Sequence, residues 1–153
     1  GVFGDALDKK GGTSIEYVRQ FLKGKFPAAP KFAVLISDVK DVAKSHVACI
    51  RNKKVGGRRL IVGKEVKKLV ELSQIMAEAM PEYAKKVPKK ELPNFMVKLI
   101  SYLDSSAKTM IPDLGIVMQT DTTYAEELLG FKFKPAKGCI AENARSVVRL
   151  GLV

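Results

Sequence analysis

Three polar side chains, Asp38, Asp41 and His46, follow an apolar run and are the first residues of this chain to suggest chemistry. Carboxylates and imidazoles are common proton donors and acceptors in enzymes, and His46 is the only histidine. The spacing nevertheless predicts structural roles. We expect Asp38 to cap a helix, Asp41 to pair with Lys44 or Ser45 or to hold a loop, and His46 to lie in the core on the buried face of that helix.

The two cysteines, Cys49 and Cys139, are far apart in the sequence. They lack the short paired spacing of a zinc site and the density of a disulfide scaffold. His46 also has no acidic or cysteine partner at metal-ligand spacing. We therefore expect no metal site and a reducing, cytoplasmic location.

The first elements along the chain alternate between helix and strand. Thr13-Ser14-Ile15-Glu16 is typical of a capping box and predicts a helix over residues 14–23. Residues 32–36 are a continuous apolar run, as expected for a strand buried on both faces. Residues 59–62 predict a second short strand, so strand, helix and strand follow in the order of a right-handed parallel crossover.

The intervening helix, capped by Asp38, has an apolar stripe with three-and-four spacing that predicts one buried face. The stripe consists of Val39, Val42, Ala43, Val47 and Ile50.

Beyond Gly63 the pattern is mainly helical. The spacing predicts a helix that stops at Pro81, a long helix over residues 94–110, a short helix from the cap Asp121 to Gly130, and a last helix over residues 137–150. The long helix is predicted from Met96, Leu99, Ile100, Leu103, Ala107 and Met110, and the last helix from Ile140, Ala144, Val147 and Val148.

The net charge of +11 raises the alternative of a basic, non-enzymatic module that binds nucleic acid or another polyanion. The lysines and arginines come as scattered pairs without interleaved aromatic residues, which disfavours nucleic acid as a partner. No apolar run approaches the roughly 20 residues needed to span a bilayer, and no signal peptide is visible. We therefore expect no membrane association.

The two predicted strands cannot form a stable sheet alone. A parallel pair that is apolar on both faces needs neighbouring strands and covering helices. We therefore expect an α/β fold in which this chain supplies the last strands of a doubly wound parallel sheet plus a mainly helical region. The earlier strands would come from a segment that precedes Gly1.

With these elements placed, Asp38-Val39-x-Asp41-Val42-Ala43-x-x-His46 resembles a segment of the extended short-chain dehydrogenases/reductases, in particular the dihydroflavonol 4-reductase and aldehyde or ketone reductase group within the NAD-dependent epimerase/dehydratase family. Residues 1–4, 57–62, 114–131 and 146–153 resemble four further motifs of these enzymes in the same order. The resemblance spans essentially the whole chain.

The resemblance implies the C-terminal portion of an NADP-dependent reductase, with NAD possible, that reduces a ketone or aldehyde. Residues 1–63 would form the end of the Rossmann-type sheet and the substrate loop, and residues 64–153 the mainly helical substrate-binding region. The catalytic tyrosine of such enzymes has a lysine four residues later, whose charge lowers the pKa of the phenol. Tyr17, Tyr83, Tyr102 and Tyr124 all lack this lysine.

The glycine-rich turn that binds a pyrophosphate is also absent, because the two Gly-Gly pairs lack the required spacing after a strand. We therefore predict no catalytic residue in this chain and no activity of the chain alone. Its expected partners are a small carbonyl substrate and the missing N-terminal half, with homo-oligomerisation left open. A non-catalytic relative that keeps the fold for protein interaction is a third hypothesis.

The resemblance places Gly1, Val2 and Phe3 beside the nicotinamide. Thr13 and Ser14 begin a helix whose free amides and dipole suit a phosphate, although ordinary capping explains them equally well.

Three further residues are predicted to contact the substrate. Leu35 matches the end of the substrate pocket, where the flavonoid-type reductases carry a polar side chain; its apolar side chain disfavours a polyhydroxylated flavonoid. Phe21 and Phe26, with Phe32, could wall an apolar pocket or belong to the core.

Overall fold

The computed structural model describes residues 1–102, 108 and 111–153. Its strands are β1 (Val2–Phe3), β2 (Ala29–Pro30), β3 (Ala33–Asp38), β4 (Glu65–Lys68) and β5 (Glu91–Leu92). Its helices are α1 (Thr13–Leu22), α2 (Val39–Arg51), α3 (Leu69–Ala79), α4 (Asn94–Ile100), α5 (Thr123–Leu129) and α6 (Ala136–Arg149), with short 3-10 turns at Lys53–Val55, Pro81–Tyr83 and Ile111–Asp113.

Strand β3 is the centre of the main sheet, whose order is β1-β3-β4. β1 and β3 run parallel, with Val2 opposite Ser37 and Phe3 opposite Asp38. β2 and β5 form a separate parallel pair. The chain is thus α/β, as predicted.

The predicted position of the second strand is wrong. Residues 59–62 are not a strand, and β4 runs antiparallel to β3, with Ile36 opposite Glu65. The segment that precedes β4 contacts the C-terminal end of β3. There the Ser37 hydroxyl donates to the Val62 carbonyl, and the Lys64 amide donates to the Ile36 carbonyl. The chain then returns along β3, so this connection is not a parallel crossover.

Helices α1, α3 and α6 pack with β3 around one core. α6 buries Ile140, Ala144 and Val147 as its spacing predicts, and α3 ends at Ala79, with Met80 as its cap before Pro81, also as predicted. The other buried apolar side chains of this core include Val18, Phe21 and Leu22 of α1, Ile36 of β3, and Leu69, Leu72 and Met76 of α3.

The outer face of α2 contradicts its predicted burial. Val39, Val47 and Ile50 of the apolar stripe are 38%, 49% and 86% exposed. The buried residues of this helix are Asp41 and Ser45. The stripe therefore faces outward, because the core-facing side of α2 is the polar one.

Helix α4 begins after Pro93, as predicted, and its only buried residue is Val97. The predicted core positions Met96, Leu99 and Ile100 are exposed. Leu103, Ala107 and Met110, predicted on the same stripe, lie outside the described residues.

The short helix α5 is close to its prediction. The Asp121 carboxylate accepts a hydrogen bond from the Thr123 amide, although Thr122 is the capping residue. Gly130 ends the helix in the left-handed conformation.

In the described part of the chain, no helix has both the length and the apolar character needed to cross a membrane.

Candidate cofactor and substrate site

A cavity of about 720 Å³ lies between α1, residues 25–30 and α4. We call it the large cavity. Phe21 and Phe26, both predicted to contact the substrate, lie in its wall with their rings edge to face and 5.4 Å between centroids. The remaining apolar lining includes Pro27, Pro30, Leu92, Met96, Val97 and Ile100, and the polar lining Glu16, Tyr17, Gln20 and Lys25. Such a mixture is typical of a pocket for a small organic molecule.

A second cavity of about 300 Å³, the small cavity, lies beside β1 and the start of α1. It brings together Gly1, Phe3, Thr13 and Ser14, which are four of the five residues predicted to bind the cofactor. Its other lining residues are Tyr17, Phe32, Val34, Leu69 and Asp113. The fifth predicted residue, Val2, is half-exposed and does not line this cavity.

The two cavities share Thr13 and Tyr17. These residues are four apart on α1, so their side chains lie on one face of the helix. Gln20 and Phe21 continue this face into the large cavity. The spacing of these four residues is visible in the sequence, but no sequence motif marks Tyr17 as a residue of a pocket.

The predicted capping box at the start of α1 is wrong. The cap residue is Gly12, without a side-chain hydrogen bond, and Thr13 is already helical. Glu16 instead binds Arg19 and Gln20, and these bonds, led by the one from Arg19, lower the pKa of Glu16. The first amides of α1 are therefore not capped by a side chain, which is the arrangement that suits an anion.

Leu35 lies outside both cavities. Successive side chains of a strand point to opposite faces, and Val34 lines the small cavity. The Leu35 side chain packs against Gly63 on the other face, where a Cβ on Gly63 would lie 2.8 Å from Leu35 Cγ. Its contact with substrate remains a prediction.

Helix α6 holds the loop that follows β1. The side-chain amide of Asn143 donates to the Gly4 carbonyl at 2.6 Å, and the backbone amide of Ala6 donates to the Ser146 hydroxyl at 2.9 Å. Both α6 side chains are buried. Gly4 has φ +113°, and a Cβ there would lie 3.1 Å from Asp38 Oδ2. Phe3 and the small cavity are thus positioned by a tight turn and two buried hydrogen bonds.

Asp38 and Asp41 have structural roles, as predicted. Asp38 caps α2 by accepting from the Lys40 amide at 2.8 Å, and Lys134 Nζ lies 3.4 Å from its other oxygen. Asp41 is buried and accepts from the Lys134 amide at 2.7 Å, so its partner is neither Lys44 nor Ser45.

His46 is exposed, and its Nδ1 lies 2.8 Å from the Val42 carbonyl oxygen. Its predicted place in the core is therefore wrong, because the side of α2 that faces the core carries Asp41 and Ser45 instead. Burial raises the pKa of the Cys139 thiol to about 12, so this group is a poor nucleophile at neutral pH. The described residues contain no cluster of three or more acidic, histidine or cysteine side chains that could hold a metal ion.

Several solved reductases are similar to this chain. Yeast methylglyoxal/isovaleraldehyde reductase Gre2, solved with NADPH, is 23% identical with a TM-score of 0.68; the match covers 98% of this chain and 45% of that enzyme. Gre2 from Candida albicans is 22% identical with a TM-score of 0.71, over 98% and 42% of the two chains. Vestitone reductase from alfalfa is 18% identical with a TM-score of 0.66, over 99% and 43%.

No family model and no curated protein sequence matches the chain. The structural likenesses show that the chain shares the Rossmann-type α/β fold of these solved reductases, which confirms the predicted fold class. The chain spans less than half the length of these solved reductases.

Proposed function

We propose that this chain is the C-terminal, substrate-binding portion of a cytoplasmic, NADP-dependent reductase of ketones or aldehydes. The observation that carries the proposal is that the two cavities meet at Thr13 and Tyr17. Hydride transfer requires the cofactor ring and the carbonyl carbon side by side. The NADPH complexes of Gre2 from yeast and Candida albicans support this choice of cofactor.

The small cavity would take the nicotinamide end of the cofactor, which supplies the hydride. At about 300 Å³ it lies at the lower end of small-molecule pockets, so it suits a ring and its ribose rather than a whole dinucleotide. Gly1 contributes to this fit, because a Cβ there would lie 2.8 Å from the Phe3 ring and 3.5 Å from the Ser14 hydroxyl. Phe3 would form one wall, and Thr13 and Ser14 would present the uncapped amides of α1 to the anionic part of the cofactor.

The large cavity would hold the carbonyl compound. The apolar walls from Phe21, Phe26 and α4 favour a substrate with an aliphatic or aromatic body. Tyr17 and Gln20 are the polar groups placed to orient it.

The catalytic tyrosine–lysine pair and the glycine-rich turn would come from an N-terminal half of the same protein. Two features of the described residues support this. β1 pairs only with β3, so its other edge has no strand partner there. The outer face of α2 also exposes Val47 and Ile50, which a neighbouring segment would cover.

The test compares Phe26→Ala with Phe95→Ala in the complete protein, using methylglyoxal and isovaleraldehyde as first substrates and the oxidation of NADPH as the readout. Phe26 lines the large cavity, whereas Phe95 is 70% exposed on α4 and does not line it. We expect Phe26→Ala to raise KM about tenfold through lost apolar contact, with Phe95→Ala close to the parent protein. Equal effects of the two changes would contradict the assignment of the large cavity.

The isolated 153-residue chain provides the control for the missing half. We expect it to oxidise no NADPH with either aldehyde, because it lacks the tyrosine–lysine pair. Turnover by the chain alone would overturn the proposal that catalysis resides in an N-terminal half.

A further inference from the structure

A third concave surface, the basic cleft, shares the lining residues Phe26 and Pro27 with the large cavity. It has a volume of about 640 Å³. Its lining contains five lysines and no carboxylate: Lys23, Lys85, Lys86, Lys89 and Lys90, together with Gly24, Phe26, Pro27 and Val87. Nothing in the proposed reduction uses these lysines.

The lysines of the cleft have no counter-charge within the described part of the chain. Glu82 and Glu91 flank the lysine-rich segment in the sequence, but Glu91 pairs with Lys68 at 3.5 Å and Glu82 forms no ion pair with any described residue. This contrasts with other lysines of the molecule, such as Lys67, which lies 2.8 Å from Glu65. Several ammonium groups around one concave surface repel one another, and an anion relieves that repulsion.

The backbone that carries the lysines is anchored to the rest of the fold. Val87 is 4% exposed and belongs to the core, and its amide and that of Lys86 donate to the Tyr83 carbonyl. The Ala29 amide donates to the Lys90 carbonyl at 2.9 Å, which ties the end of the segment to β2. The cleft is therefore part of the folded structure rather than a chance approach of long side chains.

We propose that the basic cleft binds a small organic or inorganic polyanion that carries two or more phosphate groups. Lysine ammonium groups are established phosphate ligands, and the volume matches pockets that hold molecules of drug size. A single-stranded nucleic acid is less suited, because such sites need open aromatic faces for stacking. The one aromatic residue among the lining residues of the cleft, Phe26, is half-buried and packs edge to face with Phe21.

The test is calorimetric titration of the 153-residue chain with inorganic tripolyphosphate, without cofactor or carbonyl substrate. One variant replaces Lys85, Lys89 and Lys90 by Gln. The control replaces Lys44, Lys53 and Lys54 by Gln. These lysines are also exposed and lie outside the cleft, and their replacement lowers the net charge by the same amount. We expect the cleft variant to weaken binding at least about tenfold and the control less than about threefold.

The outcomes separate this inference from the proposed reductase, because the titration needs neither activity nor the N-terminal half. Equal weakening by the two variants would overturn it, since net charge alone would then explain the binding. Absence of measurable binding by the parent chain at low salt would also overturn it. Tighter binding of a single-stranded oligonucleotide, increasing with its length and lost in the cleft variant, would replace the small polyanion by nucleic acid.

Discussion

Glu126 joins three separate segments of the chain through one buried carboxylate. Lys64 Nζ lies 2.7 Å away, the Phe133 amide donates at 2.9 Å, and Lys132 Nζ lies 3.1 Å away. The bond from Lys64, followed by that from the Phe133 amide, outweighs burial and lowers the pKa of Glu126 from 4.5 to about 2. The carboxylate is therefore charged in the folded protein well below neutral pH.

This pKa predicts a pH dependence of stability. A carboxylate with a lower pKa in the folded state stabilises it fully above the unfolded value, and this contribution disappears as the pH falls through the folded value. We expect the difference in the free energy of unfolding between the parent chain and Glu126→Gln to shrink as the pH falls from 4.5 to about 2. Denaturant unfolding of both proteins at a series of pH values measures this difference in the free energy of unfolding.

The control is Glu127→Gln, which removes the exposed neighbouring carboxylate. The two substitutions change the charge equally, so only the buried interactions of Glu126 distinguish them. A difference that stays constant across this pH range would contradict the role assigned to Glu126.

At the scale of elements, α6 combines a core-packing face with two buried polar side chains. Ile140, Ala144 and Val147 are fully buried, and Asn143 and Ser146 lie among them. The polar pair binds the backbone of the loop after β1. The helix therefore stabilises the core and positions the proposed cofactor site at the same time.

Asn143→Ala tests this coupling. The substitution leaves the Gly4 carbonyl without its buried donor, and we expect a loss of about 1–3 kcal/mol in the free energy of unfolding. The matched control on the same helix is Lys137→Ala, whose ion pair with Glu78 is exposed and for which we expect less than about 1 kcal/mol. Chemical denaturation measures both, and similar losses in the two variants would argue against a positioning role for Asn143.

At the scale of the whole molecule, α2 exposes an apolar face, and within the described residues one edge of β1 has no strand partner. Such surfaces favour association with other polypeptides. In the proposed reductase, an N-terminal half would cover them. In a solution of the isolated chain, a second copy of the chain would bind to these surfaces.

We therefore expect the isolated chain to self-associate and Ile50→Lys to weaken this association severalfold. Ile50 is 86% exposed beside Val47, so the added charge lies within the apolar face. Leu7→Lys is the matched control, because Leu7 is 89% exposed but lies outside this face. Sedimentation velocity at increasing protein concentration measures the self-association of each variant. If both variants self-associate as the parent does, the α2 face is not the surface of association.

Local features of the fold were predictable from the sequence. The Asp38 cap, the end of α3 before Pro81, the left-handed Gly130 and the buried face of α6 depend on residues a few positions apart, and short-range sterics and hydrogen bonding determine them. For Phe21 and Phe26 the sequence left a pocket wall and the core as alternatives, and only contacts between distant segments place them in the wall of the large cavity, with Phe21 also in the core. The motifs that resembled the reductases also led to the correct fold class.

Only the tertiary structure decided what those elements pack against. The apolar stripe of α2 was visible in the sequence, but its predicted burial is wrong, because nothing in the described part of the chain covers His46 and Ile50. The antiparallel return of β4 and the meeting of the two cavities at Tyr17 likewise depend on contacts between distant segments. A periodic sequence specifies which face of an element is apolar, whereas the rest of the fold specifies whether anything covers it.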